Sequence, residues 1–106
     1  MAKLFAYGTL KDIDTQQTIF GRILKGEPDV LQGYTISEIK IEEEFGMAKY
    51  PILEESEDIK DVVNGMLFEI SEEDINLADT YEGLHYKRIE VTLQSKENAW
   101  AYIVTN

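Results

Sequence analysis

Apolar runs of strand length, each cut off within about ten residues by glycine, proline or a polar turn, are what most narrows the folds open to this sequence. The first run, residues 1–7, is stopped by Gly8; it is too short for a signal peptide or a membrane span, which predicts a strand and a cytoplasmic protein. Residues 26–29 are turn-rich, and residues 30–41 then alternate imperfectly, with Tyr34, Ile36 and Ile39 as candidates for burial. Residues 47–53 carry Tyr50-Pro51, where a proline without an N–H confines a strand to an edge or an end. Residues 62–70 form a clear strand with Gly65 inside it, which predicts a bulge or a close backbone approach. Residues 86–94, with Ile89, Val91 and Leu93 on one face, and residues 99–104 are joined by a polar turn and read as an antiparallel hairpin.

Two stretches leave this pattern. Asp14 and Gln17 have the spacing of a capping pair for a short helix over residues 15–20, with Gly21 at its end. Ser71-Glu72-Glu73-Asp74 is a hydroxyl followed three residues later by a carboxylate, and it predicts a helix from about residue 72 to about residue 81 with Ile75, Leu77 and Ala78 as its apolar stripe. The outline is one α+β domain over residues 1–106, a small mixed β-barrel of about six strands with two short flanking helices.

The side-chain inventory restricts the chemistry. The chain has no cysteine and a single histidine, His85, which excludes disulfides, a thiolate nucleophile and cysteine- or multi-histidine-ligated metal. With 21 acidic against 10 basic residues the formal charge is -11, so nucleic acid and anionic membrane surfaces are repelled rather than bound. The acidic runs Glu42-Glu43-Glu44 and Glu54-Glu55-Ser56-Glu57-Asp58 read as solvated faces, and among so many acids a chance pair of carboxylates carries no catalytic signal.

Two constellations remain. In Tyr7-Gly8-Thr9-Leu10 a strand ends at a glycine where successive backbone N–H groups can form a donor site for a carboxylate or carbonyl oxygen, although a plain strand-to-turn glycine gives the same pattern. In Asp79-Thr80-Tyr81-Glu82-Gly83 the second helix delivers Glu82 at its C-terminal end. There the negative end of the helix dipole disfavours the ionised carboxylate and suits it to general base work near neutrality, the alternative being a surface glutamate beside a terminating glycine. Tyr86 with Arg88, and Trp100 with Tyr102, share strand faces and either line a pocket or pack; Arg88 is expected to pair with a carboxylate, and His85 to sit solvated in a loop.

Taken in order, Phe5-Ala6-Tyr7-Gly8-Thr9-Leu10, Gly33-Tyr34, Tyr50-Pro51, Val63-Asn64-Gly65-Met66-Leu67-Phe68, Asp79-Thr80-Tyr81-Glu82-Gly83, Tyr86-Lys87-Arg88 and Ala99-Trp100-Ala101-Tyr102 resemble the γ-glutamylcyclotransferase-like, or AIG2-like, family almost end to end. Departures are small: Thr9 stands where serine is also usual, and Ala78 where leucine is commoner. The resemblance implies a small β-barrel with a cavity at one end, a loop of Tyr7, Gly8, Thr9 and Leu10 that binds a γ-glutamyl group, Glu82 as catalytic acid/base, and Tyr86 and Tyr102 lining the cavity.

Such a reaction suits the inventory, because the α-amine of a γ-glutamyl amide is one five-membered ring closure from the γ-carbonyl and the substrate brings its own nucleophile. No cofactor and no metal enter this expectation, and the partner is a small γ-glutamyl compound. A binding module that keeps the cavity without catalysis is the alternative, and an acidic protein docking a basic partner is a third reading.

Overall fold

Among the described residues the chain alternates strands and helices in the order β1 (Ala2–Ala6), α1 (Ile13–Phe20), β2 (Gly26–Gln32), β3 (Tyr34–Glu43), β4 (Gly46–Glu55), β5 (Val62–Ile70), α2 (Glu72–Glu82), β6 (Tyr86–Thr92) and β7 (Asn98–Val104). The structure is a computed structural model that describes residues 2–43 and 46–104, with the side chains of residues 38–50 outside the description. The expected burial of Ile39, the solvated run at Glu42-Glu43-Glu44 and the fit of residue 47 therefore lie outside the described residues.

Five strands make one sheet in the order β2-β5-β1-β7-β6, and β3 and β4 pair by themselves as an antiparallel ribbon. The central strand β1 runs antiparallel to β5 and parallel to β7, with Leu4 opposite Trp100. The expected barrel does not close. The sheet curls until the Gln94 N–H donates to the Val30 carbonyl at 2.8 Å and the Ser95 hydroxyl to Asp29 at 2.6 Å, so the end of β6 reaches the β2 edge, but no ladder joins the two strands. Pro28 leaves that edge strand a donor short, which disfavours further pairing there.

The strand expected over residues 30–41 is two strands instead. Gly33 adopts φ +80°, a left-handed conformation that L side chains avoid, and it turns β2 out of the sheet into the β3–β4 ribbon. Residues 26–29, read from sequence as a turn, open β2 as an edge strand paired with β5, a position that tolerates proline. Gly65 is the close approach expected of it: a Cβ there would stand 2.5 Å from the Ala6 carbonyl oxygen and 2.7 Å from the Phe5 ring. Tyr50-Pro51 falls in β4, one strand of the two-stranded ribbon, as a proline requires.

Strand alternation sends neighbours to opposite faces of the sheet. Leu4 and Ala6 join Phe68, Ile70, Tyr102 and the buried helix residues Ile75 and Ala78 in one apolar cluster. Phe5, between them in sequence, joins Leu31, Val63, Val91, Leu93 and Ala101 in the other. The stripe of α2 is narrower than expected, since Leu77 is 44% exposed while Ile75 and Ala78 are buried. Ile36 likewise stays out, at 45% exposure.

The helices start and stop for local reasons. At α2 the capping box is present: the Asp74 N–H donates to the Ser71 hydroxyl at 3.1 Å and the Ser71 N–H to the Asp74 carboxylate at 3.0 Å. At α1 the expected Asp14–Gln17 pair does not form, because the helix begins two residues earlier with Asp12 as its N-cap. Asp14 then lies inside the first turn, where its charge favours the positive helix end. Gly21 and Gly83 close α1 and α2 as expected, each with its N–H bonded back to a helix carbonyl.

Candidate active site

Strand β1 runs out at Ala6, and the chain bends at Tyr7 and Gly8 into a 3-10 turn over Thr9–Lys11. Beneath this turn the buried amide of Gln16 bridges two backbone groups: its Nε2 donates to the Leu10 carbonyl at 3.0 Å and its Oε1 accepts the Leu24 N–H at 2.9 Å. The loop is thereby fixed from below by α1. The amides of Gly8, Thr9 and Leu10 have no acceptor among the described residues, as expected at the start of a helical turn.

A cavity of about 220 Å³ opens beside the loop, and all seven residues singled out from sequence line it: Tyr7, Gly8, Thr9, Leu10, Glu82, Tyr86 and Tyr102. Four more of the described residues line it: Phe5, Ala6, Pro51 and Tyr81. Pro51 comes from the separate ribbon, and its ring limits the room at Gly8, where a Cβ would stand 3.4 Å from Pro51 Cγ. The phenols are held by fixed acceptors. Tyr7 donates to the Tyr102 carbonyl at 2.6 Å, Tyr86 to the Pro51 carbonyl at 3.1 Å, and Tyr102 to Asp79 Oδ1 at 2.7 Å. Thr9 and Tyr81 share a hydroxyl–hydroxyl hydrogen bond of 2.7 Å, which ties the loop to the last turn of α2.

Glu82 is the last residue of α2, and among the described residues no cation pairs with it. Burial, which penalises the charged form, pushes its carboxyl up to about 7. The direction is the one expected from its place at the helix end, and the cause is desolvation by burial. Burial also raises the Tyr7 phenol, with the Glu82 charge as the next contribution. Tyr102 is raised by burial first and then by its bond to Asp79. Both phenols consequently stay protonated across the neutral range.

Outside the cavity, Arg88 takes the carboxylate partner expected of it: Nε stands 3.1 Å from Asp79 Oδ1, and the guanidinium lies 4.4 Å from the centre of the Trp100 ring. The Arg88–Asp79 contact is ionic rather than a well-directed hydrogen bond, since the buried Nε has no aligned acceptor. His85 is exposed in the 3-10 turn Gly83–His85 and is not in the cavity wall. Among the described residues no group of three or more histidine, aspartate or glutamate side chains is arranged to hold a metal ion, and no helix is long and apolar enough to cross a membrane.

Sequence reasoning missed Gln16 and the bonds of Asp79. Gln16 precedes Ile19 and Phe20 by three and four residues, a polar residue on the helix face that packs on the core, and that mismatch is its signal. Asp79 lies inside a recognised motif, but its partners Arg88 and Tyr102 come from other elements.

The arrangement can therefore accept a proton at one carboxylate, present free backbone donors beside it, and orient a small polar molecule against aromatic walls. The sequence pattern of the family described as gamma-glutamyl cyclotransferase, AIG2-like, matches residues 4–106. An Arabidopsis thaliana protein with a known solution structure is 26% identical, matches 97% of this chain and 61% of its own length, and superposes with a TM-score of 0.77. A structure named gamma-glutamyl cyclotransferase is 18% identical over 99% of this chain and 67% of its own, with a TM-score of 0.80. An uncharacterised protein from Homo sapiens is 19% identical over the same shares, with a TM-score of 0.82. At those last two identities the likeness is one of fold. The chain spans about three-fifths of the length of the Arabidopsis protein and two-thirds of the other two. No curated protein matches it significantly in sequence.

Proposed function

The chain belongs to the gamma-glutamyl cyclotransferase, AIG2-like family, and we propose that it cyclises a γ-glutamyl amide or γ-glutamylamine to 5-oxoproline and a free amine or amino acid, with Glu82 as general acid/base. The observation that carries this reading is Glu82 itself: a carboxylate without an ion-pair partner among the described residues, raised to about 7, in the wall of a small cavity shared with the loop amides. A volume of about 220 Å³, roughly seven waters, gives room for a glutamyl group.

In this mechanism the α-ammonium gives a proton to Glu82, and the free amine attacks the γ-carbonyl carbon. The new C–N bond closes the five-membered ring, and the bond from that carbon to the departing nitrogen breaks. The attacking nitrogen loses two protons between ammonium and lactam, and the departing amine gains two; Glu82 carries them across. A group with a pKa near 7 is suited to both directions of that relay, since it is neither too weak a base to take the proton nor too weak an acid to return it. The amides of Gly8, Thr9 and Leu10 receive the α-carboxylate or the developing oxyanion, and the aromatic wall holds the glutamyl chain folded on itself, which supplies much of the advantage of an intramolecular reaction. No cofactor takes part, and a cytoplasmic location goes with this reading.

The test is incubation with a panel of γ-glutamyl amides and amines, with detection of 5-oxoproline. The wild-type protein releases it and a folded Glu82→Gln protein does not. Retained cyclisation by Glu82→Gln removes the glutamate from its role, and binding of the panel without product by the wild-type protein makes the domain a binding module.

A further inference from the structure

Asp79 stands one helical turn before Glu82, so the two carboxylates share a face of α2. It accepts the Tyr102 hydroxyl of β7 at 2.7 Å and makes an ionic contact with the Arg88 guanidinium of β6, whose Nε stands 3.1 Å away. The other cavity phenols are committed as well, Tyr7 to the Tyr102 carbonyl and Tyr86 to the Pro51 carbonyl. We propose that Asp79 is a positioning residue that engages the Tyr102 hydroxyl and the Arg88 guanidinium, and in doing so keeps both from Glu82, which has no donor or cation among the described residues.

The geometry accounts for an otherwise odd division between two acids on one helix face. A carboxylate next to an arginine and a phenol would ordinarily be bonded to both and held ionised. Asp79 takes the Tyr102 hydrogen bond and the Arg88 charge at the rim, and Glu82 keeps the cavity. The remaining titratable groups around Glu82 do not substitute for these donors. Tyr81, on its own helix, is bonded to Thr9; Asp14, from α1, lies in the groove beside Tyr81; and His85, in the following turn, is exposed.

The proposal depends on the cyclotransferase reading only for its effect on turnover, so it is tested without substrate. The Glu82 carboxyl is titrated by carbon-13 NMR in the free, full-length protein. The wild-type midpoint is expected near 7. Asp79→Ala frees the Tyr102 hydroxyl and the Arg88 charge and is expected to lower the midpoint by about one unit or more, and adding Tyr102→Phe takes back part of that fall. Asp79→Asn keeps an oxygen for the Tyr102 hydroxyl, gives a smaller fall, and carries the test if the alanine variant fails to fold. A midpoint that stays within about 0.3 units or rises in these variants overturns the proposal. So does an equal fall in Asn and Ala variants that Tyr102→Phe does not alter, because loss of one neighbouring charge then explains everything. Failure of the cyclotransferase reading has a separate signature: no 5-oxoproline from the wild-type protein, whatever the titrations give.

Discussion

The two ends of α2 treat a carboxylate in opposite ways. At the start, Asp74 closes the capping box with Ser71 and receives both terminal nitrogens of Arg22, and these bonds hold its carboxyl down at about 2. Roughly 12 Å along the helix, Glu82 has no ion pair among the described residues, and burial holds its carboxyl up at about 7. Burial works against the charged form at both, and at Asp74 the donors outweigh it. What separates them is whether donors are supplied: a buried carboxylate with donors is a structural joint, and one without is a base in waiting.

The contrast fails most visibly if activity does not follow it. Glu82→Gln is expected to reduce 5-oxoproline formation by about a thousandfold while the circular dichroism spectrum is kept. Asp74→Asn leaves the rate within about threefold of wild type, since a cap oxygen remains and the cavity is untouched. In wild type the acid limb of the rate against pH is expected to have its midpoint near 7; a profile already flat at pH 5 would separate the rate from Glu82.

Stability gives the next largest effect, and its sign differs at the two ends. Because the folded Glu82 pKa lies above the unfolded value of about 4.5, ionising it costs nothing below pH 4.5, and the cost grows until it is complete above 7. Glu82→Gln removes that cost, so urea unfolding at pH 8 should show the variant more stable by up to ~3 kcal/mol, a gain absent at pH 4. Asp74 is the reverse case. Its pKa is depressed from 3.8, so its contribution is present above about pH 4 and is lost as the pH falls toward 2. Asp74→Ala is expected to lower stability at pH 7 by about 2 kcal/mol, with the gap to wild type narrowing on acidification through that window. Ser71→Ala, which removes the hydroxyl half of the box and leaves Arg22 paired, costs about 1 kcal/mol. If the serine variant lost as much as the aspartate variant, the cap alone would account for this end of the helix.

The amino-acid sequence is most readable where the controlling interactions are local. The capping box at Ser71 spans three residues, and the stop at Gly83 follows the helix directly, so a short stretch of sequence suffices to put Glu82 at the helix end. The loop at Gly8 is readable for the same reason. Long-range relations are not: nothing local to Asp74 announces Arg22, which is 52 residues away, and nothing local to Asp79 announces Tyr102. The expected barrel is an extrapolation from strand count, whereas closure depends on which edges meet, and alternation continuing through Gly33 hides the point where the chain leaves the sheet. For the Glu82 pKa the helix position predicts the direction, whereas the burial that raises it is a property of the assembled cavity and not of any local stretch of sequence.

The parallel pairing of β1 with β7 sets the order in which this protein can be made. Leu4 meets Trp100 at the middle of the sheet, so the earliest and latest strands of the described chain must find each other across nearly its whole length. Such contacts carry a high loop-closure cost and slow folding. On a ribosome, β1 emerges with β5 as its first available neighbour, and Tyr7 has no acceptor until the carbonyl of Tyr102 has been synthesised. The cavity is thus a late product of biosynthesis, and a chain stalled short of β7 holds Glu82, the loop and α2 without the wall that brings them together.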